Sequence, residues 1–282
     1  MSLGGFDWQC PVCKLALPRN QNQWRCDNGH SFDCAKEGYV NLLLAQQKNS
    51  KSPGDNKAMV LARKDFLGKD YYLPLANCMA MRIEEYWQTL SNDFQQFSIF
   101  DTGCGEGYYL KRITDALTVH NGTVHASGID ISKPAIQKAA KLIPTAEFAV
   151  ASSFSLPVSG NSQDAVIQVF APSSSEEILR VLKPSGIWIT VNPAENHLFE
   201  LKTMVYDEPT KHSTHLQQVN DFQELDSQNL SFTVTLDTPS DRENLLMMTP
   251  YYWSISEQKK QQVKDSLDTV TTDFDIKIWQ KH

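Results

Sequence analysis

Between residues 98 and 192 the spacing of apolar residues switches repeatedly between a period of two and a helical period. No other feature of the chain limits its fold as much. Residues 98–103 (SIFDTG) read as a strand running into a glycine turn, and 109–118 (YLKRITDALT) as a helix. Strands follow at 124–131, 146–152, 164–170 and 186–192, with helices at 133–143 and 174–182. Parallel neighbours cannot be joined by a tight turn, so this rhythm predicts a mainly parallel sheet with crossover helices on its faces. Two more strands, at 231–237 and 273–281, flank helical stretches within 241–267. Upstream, 71–90 has helical spacing with Pro74 in its first turn, and 207–220 reads as an exposed insertion. With 282 residues, 41% of them hydrophobic, the chain can build one large core and a small satellite unit. No run approaches about 18 apolar residues, so no segment is expected to span a bilayer. The N-terminus has no basic-then-apolar leader, so a cytoplasmic protein is expected.

The head of the chain has a different character. Residues 8–33 show little apolar periodicity and are rich in Cys, Pro, Asn and Gln. Cys10-Pro-Val-Cys13 is followed, after a twelve-residue gap, by Cys26-Asp-Asn-Gly-His30. Two short-spaced pairs of soft or borderline ligands suit a tetrahedral zinc ion and leave no open position, so the site is expected to be structural. Binding would supply folding free energy that so small a core cannot. In a reducing compartment, metal is favoured over disulfide. Cys34 is the alternative fourth ligand. His30 is favoured because Gly29 permits the tight turn that brings it back to Cys26. Cys78 and Cys104 read as small packed residues. Net charge is −7, yet residues 1–66 hold nine Lys/Arg against six Asp/Glu, and the remainder 17 against 27. A slightly basic head on an acidic body allows a head that touches phosphates.

The turn itself reads Phe100-Asp101-Thr102-Gly103-Cys104-Gly105-Glu106-Gly107. Between strand and helix such a turn suits a nucleotide, and Asp130, at the end of the next strand, can accept hydrogen bonds from a ribose diol. A dinucleotide fingerprint would need glycine at 108, where this chain has Tyr108, and there is no Gly-Lys-Ser/Thr phosphate loop. Asp101 and Glu106 would repel a pyrophosphate but suit a cation. S-adenosylmethionine, with a sulfonium, an amino group and a ribose but no phosphate, fits best.

DTGCGEGYY and GIDIS resemble the cofactor motifs of class I methyltransferases, and LRVLKPSG resembles the segment leading into their fifth strand. Over the whole chain, CPVC…CDNGHSFD, AKEGYVNLL, SPGD, YYLPL, DTGCGEGYY and NHLFELK resemble the 23S ribosomal RNA guanine-N1 methyltransferases, relatives of the macrolide-resistance methyltransferases. The resemblance implies a Rossmann-like α/β fold, with a seven-stranded, mostly parallel sheet whose last strand is antiparallel. It implies a zinc-binding, RNA-recognising domain at 1–42, a linker and helical connector at 43–68, and a methyltransferase domain at 69–282. Carried over, the zinc ligands are Cys10, Cys13, Cys26 and His30. The cofactor contacts, for S-adenosylmethionine or S-adenosylhomocysteine, are Tyr72, Gly105, Glu106 and His197. Gly103 and Asp130 join them from the wider superfamily pattern. The partners implied are 23S ribosomal RNA and a second copy of the chain, with no membrane.

Guanine N1 must lose its proton for methylation, so a base or a group stabilising charge on O6 is expected. The sequence names no base. Where adenine-N6 enzymes carry an Asp-Pro-Pro-Tyr-like motif this chain has Phe170-Ala171-Pro172-Ser173, which favours a ring nitrogen as acceptor and makes Phe170 a candidate stacking residue. Lys48, Lys51, Lys57, Arg63 and Lys64 are candidate phosphate contacts. Two other readings compete: a small-molecule methyltransferase with the zinc unit as scaffold, and a non-catalytic zinc protein that binds RNA.

Overall fold

The computed structural model describes residues 7–47, 53–90, 96–118, 123–212, 219 and 221–282. Lys48 and Lys51 lie outside the described residues. The head carries three short strands, β1 (Arg19–Asn20), β2 (Gln23–Arg25) and β3 (Ser31–Asp33), paired antiparallel, and then β4 (Val40–Asn41). Helix α1 (Lys57–Leu67) starts at Asn56, whose Oδ1 accepts from the Ala58 and Met59 amides at 2.9 and 3.1 Å. α2 (Leu73–Leu90) has Pro74 in its first turn, where its missing N–H costs nothing.

The alternating region follows the expected order: β5 (Gln96–Asp101), α3 (Tyr108–Thr118), β6 (Thr123–Asp130), α4 (Lys133–Leu142), β7 (Glu147–Val150), β8 (Gln163–Val169), α5 (Ser175–Val181) and β9 (Leu182–Pro193). Then come α6 (Phe199–Val205), β10 (Phe222–Thr235), α7 (Pro239–Met247), α8 (Glu257–Ser266) and β11 (Thr269–Lys281). The sheet order is β10-β11-β9-β8-β5-β6-β7-β4. Seven of these are the expected strands, and β11 runs antiparallel to both neighbours. The eighth, β4, comes from the head and pairs parallel with β7 through Val40–Ala149 and Asn41–Val150. β6 and β7 lie to one side of β5, and β8 and β9 to the other. The order therefore reverses between β5 and β8, the place where open α/β sheets bind ligands.

Period-two alternation sends successive residues to opposite faces, and both faces are buried. Ile99, Ile167 and Ile189 face a core completed by α2, α3 and α4, among them Ile83, Leu110 and Ile136. Phe100, Val166 and Trp188 face a second core. Among the described residues only α5 covers that face as a helix. The head adds Trp8, Leu17, Trp24, Val40 and Leu42, and the segment between β7 and β8 adds Leu156 and Val158. Trp8 packs edge-on against Trp24 at 5.7 Å and against Phe100 at 6.5 Å, and its Nε1 donates to Glu147 at 2.8 Å. The head is thus part of the sheet's packing. Among the described residues no helix is long and apolar enough to cross a membrane.

Candidate functional site

A cleft of about 830 Å³ opens at the C-terminal ends of β5, β6, β8 and β9, on the switch point. The Asp101 carboxylate accepts from the Gly103 amide at 3.0 Å, and the Cys104 amide donates to the Ile129 carbonyl at 2.9 Å. These bonds fold the turn back over the sheet. Gly105 has φ +54°, and a side chain there would enter open cleft, so the bare backbone is what a ligand meets. Gly103 is needed for another reason: a Cβ there would sit 2.4 Å from Ala171 Cβ, on the segment after β8.

Asp130 takes the Gly105 amide on one carboxylate oxygen at 3.0 Å and the Ser132 amide on the other at 2.7 Å. This fixes the carboxylate plane at the cleft wall, with lone pairs left for a diol. Asp101 and Glu106 are buried, and burial pushes both up to about 7. Burial also raises Asp130, opposed by its two backbone hydrogen bonds. Three clustered carboxyls that resist ionisation form a site that gains from a bound cation.

The cation facing them is Arg63, ion-paired with Asp55 and lining the cleft. This corrects its reading as a phosphate contact: it is turned inward by a partner that sequence periodicity does not reveal. Lys57 and Lys64 stay exposed. The connector therefore forms a wall of the cleft. Gly54 (φ +77°) and Asp55 lie in it, and the Asp55 carbonyl accepts from the Ser132 hydroxyl at 2.7 Å. Both residues belong to the SPGD motif.

Tyr72 and His197 meet in the cleft lining, their rings 6.3 Å apart. Tyr72 is fully buried, its hydroxyl has no partner among the described residues, and burial raises its pKa. An orphaned buried hydroxyl at a cleft is one a ligand can satisfy. His197 Nδ1 accepts the Asp273 amide at 3.2 Å, so Nε2 carries the hydrogen, and burial drives its pKa down to about 3. Phe170, at the end of β8, has φ +52° and is 42% exposed, its ring 5.7 Å from that of His197. A strained, exposed aromatic at a cleft mouth offers a face for a planar ligand. Sequence reasoning missed Tyr109, His212 and Tyr251, which also line the cleft. His212 and Tyr251 sit in segments with no periodic signal.

In the head, ligand atoms of Cys10, Cys13, Cys26 and His30 all lie within 4.8 Å of one another. Cys13 and Cys26 sulfurs are 3.7 Å apart, and His30 Nδ1 is 3.4 Å from Cys26 Sγ and 3.6 Å from Cys10 Sγ. A tetrahedron of Zn–S bonds of about 2.3 Å has edges of about 3.8 Å, so the donor set fits zinc with no open position. Gly29 (φ +81°) makes the turn that returns His30, its amide donating to the Cys26 carbonyl at 2.9 Å. Cys34 stays outside the cluster, bridging to Val40. Cys78 and Cys104 are buried packing residues.

Residues 8–51 match the family model described as "RlmA, N-terminal", and 94–270 match one described as "Methyltransferase domain". The 23S rRNA (guanine(748)-N(1))-methyltransferase of Streptomyces fradiae is 34% identical over 68% of this chain, and the chain spans 65% of that protein. A provisionally named 23S rRNA (guanine-N1) methyltransferase of Micromonospora griseorubida is 33% identical, with 68% of each chain covered. One of the same provisional name from Bacillus subtilis is 29% identical over 97% of both chains.

Proposed function

The chain belongs to the 23S rRNA (guanine-N1) methyltransferase family, with an RlmA-type N-terminal segment ahead of a methyltransferase domain, and on that premise we propose that it transfers a methyl group from S-adenosylmethionine to N1 of a guanine in a 23S rRNA hairpin. The observation that carries the donor is the acidic turn, where Asp101, Glu106 and Asp130 meet at one glycine bend. S-adenosylmethionine supplies a methyl already activated by the positive charge on its sulfur. In this reading Asp130 holds the ribose, Gly103, Gly105 and Glu106 shape the donor's seat, and Tyr72 and His197 complete its lining. Holding donor and acceptor in line is where most of the rate comes from, about 7–11 kcal/mol.

The ligand set supports a structural zinc in the head. The head supports an RNA-facing role through its place beside the cleft: Lys14 Nζ reaches Ser155 Oγ at 3.4 Å, next to exposed Phe154 of the cleft rim. The division into a head at 1–42, a connector at 43–68 and a catalytic body at 69–282 remains our assignment, with the qualification that head and body share one core. The family resemblance supports a homodimer, and sedimentation at micromolar protein checks it. The function is tested by incubating the chain with labelled donor and unmodified 23S rRNA, then resolving the nucleosides. Label in 1-methylguanosine, with RNA affinity that falls as salt rises, is the expected result. Label in no guanosine product contradicts it.

The carboxyls near 7 give a pH signature. The folded state raises the Asp101 and Glu106 pKa values, so their contribution to stability is complete at acid pH and is lost as pH rises through about 7. A bound sulfonium favours the ionised forms. Its affinity should therefore rise from pH 6 to pH 8, by up to about tenfold for each carboxyl that ionises, while S-adenosylhomocysteine, without that charge, gains less. Calorimetry with both ligands across that range reads the difference. An affinity ratio that does not change with pH is the opposing result.

A further inference from the structure

The cleft lining holds a ring nitrogen that has no hydrogen-bond partner among the described residues. His212 follows α6, and its backbone amide donates to the Glu195 carbonyl at 3.1 Å. Its ring is 6.1 Å from that of His197, and it lines the cleft. One ring nitrogen donates to the His197 backbone, while Nε2 is buried and has no partner among the described residues. A backbone carbonyl can only accept, so Nδ1 carries the hydrogen and Nε2 keeps a free lone pair on a ring that lines the cleft.

The surroundings hold this tautomer in place and keep it neutral. Lys202, on α6, is buried and donates from Nζ to the Thr210 carbonyl at 3.0 Å, tying the helix to the segment that carries His212. The Lys211–Glu195 ion pair, at 2.9 Å, fixes the same segment to the turn after β9. Burial, then the Lys202 ammonium, lowers the His212 pKa below the ordinary imidazole value. The other titratable groups here are His197, Asp273 of β11, whose amide donates to His197, and Tyr251, which also lines the cleft. His197 cannot supply a lone pair, because its Nδ1 is occupied by the Asp273 amide and its Nε2 holds a hydrogen.

We propose that His212 Nε2 accepts the N1 proton of the target guanine, an inference that rests on the methyl-transfer function above. As the proton leaves, the N–H electron pair becomes the N1 lone pair and forms the N1–CH3 bond. The carbon–sulfur bond breaks toward sulfur, which becomes a neutral thioether. His212 ends as an imidazolium and passes its proton to solvent when the products leave. The positive charge moves from sulfonium to imidazolium, and the charge of the site is unchanged.

The test uses the full chain and a 23S rRNA fragment under single-turnover conditions. H212N keeps an amide N–H that can reach the His197 carbonyl but has no lone pair where Nε2 stood. The H212N rate should fall about 10²- to 10⁴-fold, with donor and RNA affinities within about twofold of the original. The original chain's rate should level off above the lowered imidazole pKa, whereas the H212N rate should keep climbing about tenfold per pH unit until guanine N1 itself ionises. Added imidazole should restore much of the rate to H212A. An H212N rate within about threefold of the original, or a loss confined to KM, overturns the inference and leaves the parent function standing. An unaltered chain that transfers nothing to guanine N1 overturns both.

Discussion

A Gly103→Ala variant is expected to lose about 10²-fold or more in methyl transfer while still folding. The added Cβ would lie 2.4 Å from Ala171 Cβ, where carbon atoms in contact need about 3.5–4.0 Å. The turn and the segment after β8 must therefore separate by about 1 Å or more. Overpacking of this kind costs about 1–3 kcal/mol of stability, which a chain of this size survives. The functional cost is larger because the two displaced segments are the two lips of the cleft: one carries the acidic turn, the other Phe170. Gly103 lacks the positive φ of Gly105, so backbone strain does not contribute. The account has an internal control. In a Gly103→Ala, Ala171→Gly double variant the next atom is Ala171 Cα at 3.9 Å, an ordinary contact, so most of the activity should return. If the double variant is no better than the single, the steric explanation is wrong.

Loss of one metal ligand should reach further than the head. Cys26→Ser is expected to remove zinc and to lower the stability of the whole chain by several kcal/mol, in one cooperative transition. Trp8 and Trp24 are almost fully buried against the second sheet face, beside Phe100 and Ile129, the residues next to or near Asp101 and Asp130. A buried Trp removes about 150–250 Å² from water, worth about 4–6 kcal/mol as an upper estimate. A released head would uncover that face and loosen the floor of the cleft. Zinc content, a urea melt followed by tryptophan fluorescence and hydrogen exchange at β5 and β6 read this together. Normal protection of the sheet, with only the head exchanging freely, would show that the two units fold independently.

That coupling also marks where sequence reading stopped. The glycine turn and Asp130 were legible because their geometry is local: the residues that bend the chain and those that line the cleft lie within about thirty positions. The metal cluster was legible for the same reason, since two short loops carry all four ligands. The head's second task was not. Trp8 against Phe100 is a contact across about ninety residues, and β4 has two residues, too few to show a period. Arg63 looked like one more lysine-rich surface charge until Asp55 turned it inward. His212 sits in an aperiodic polar stretch, and only folding brings it against His197.

The central claim is that the acidic bend after β5 seats a sulfonium methyl donor. Titration calorimetry of the purified chain with S-adenosylmethionine tests it most directly. The account predicts one binding event per chain, displaced by S-adenosylhomocysteine, untouched by ATP or NAD, and strongly weakened in an Asp130→Ala variant. No binding heat, or a site that ATP or NAD occupies in competition, would contradict it.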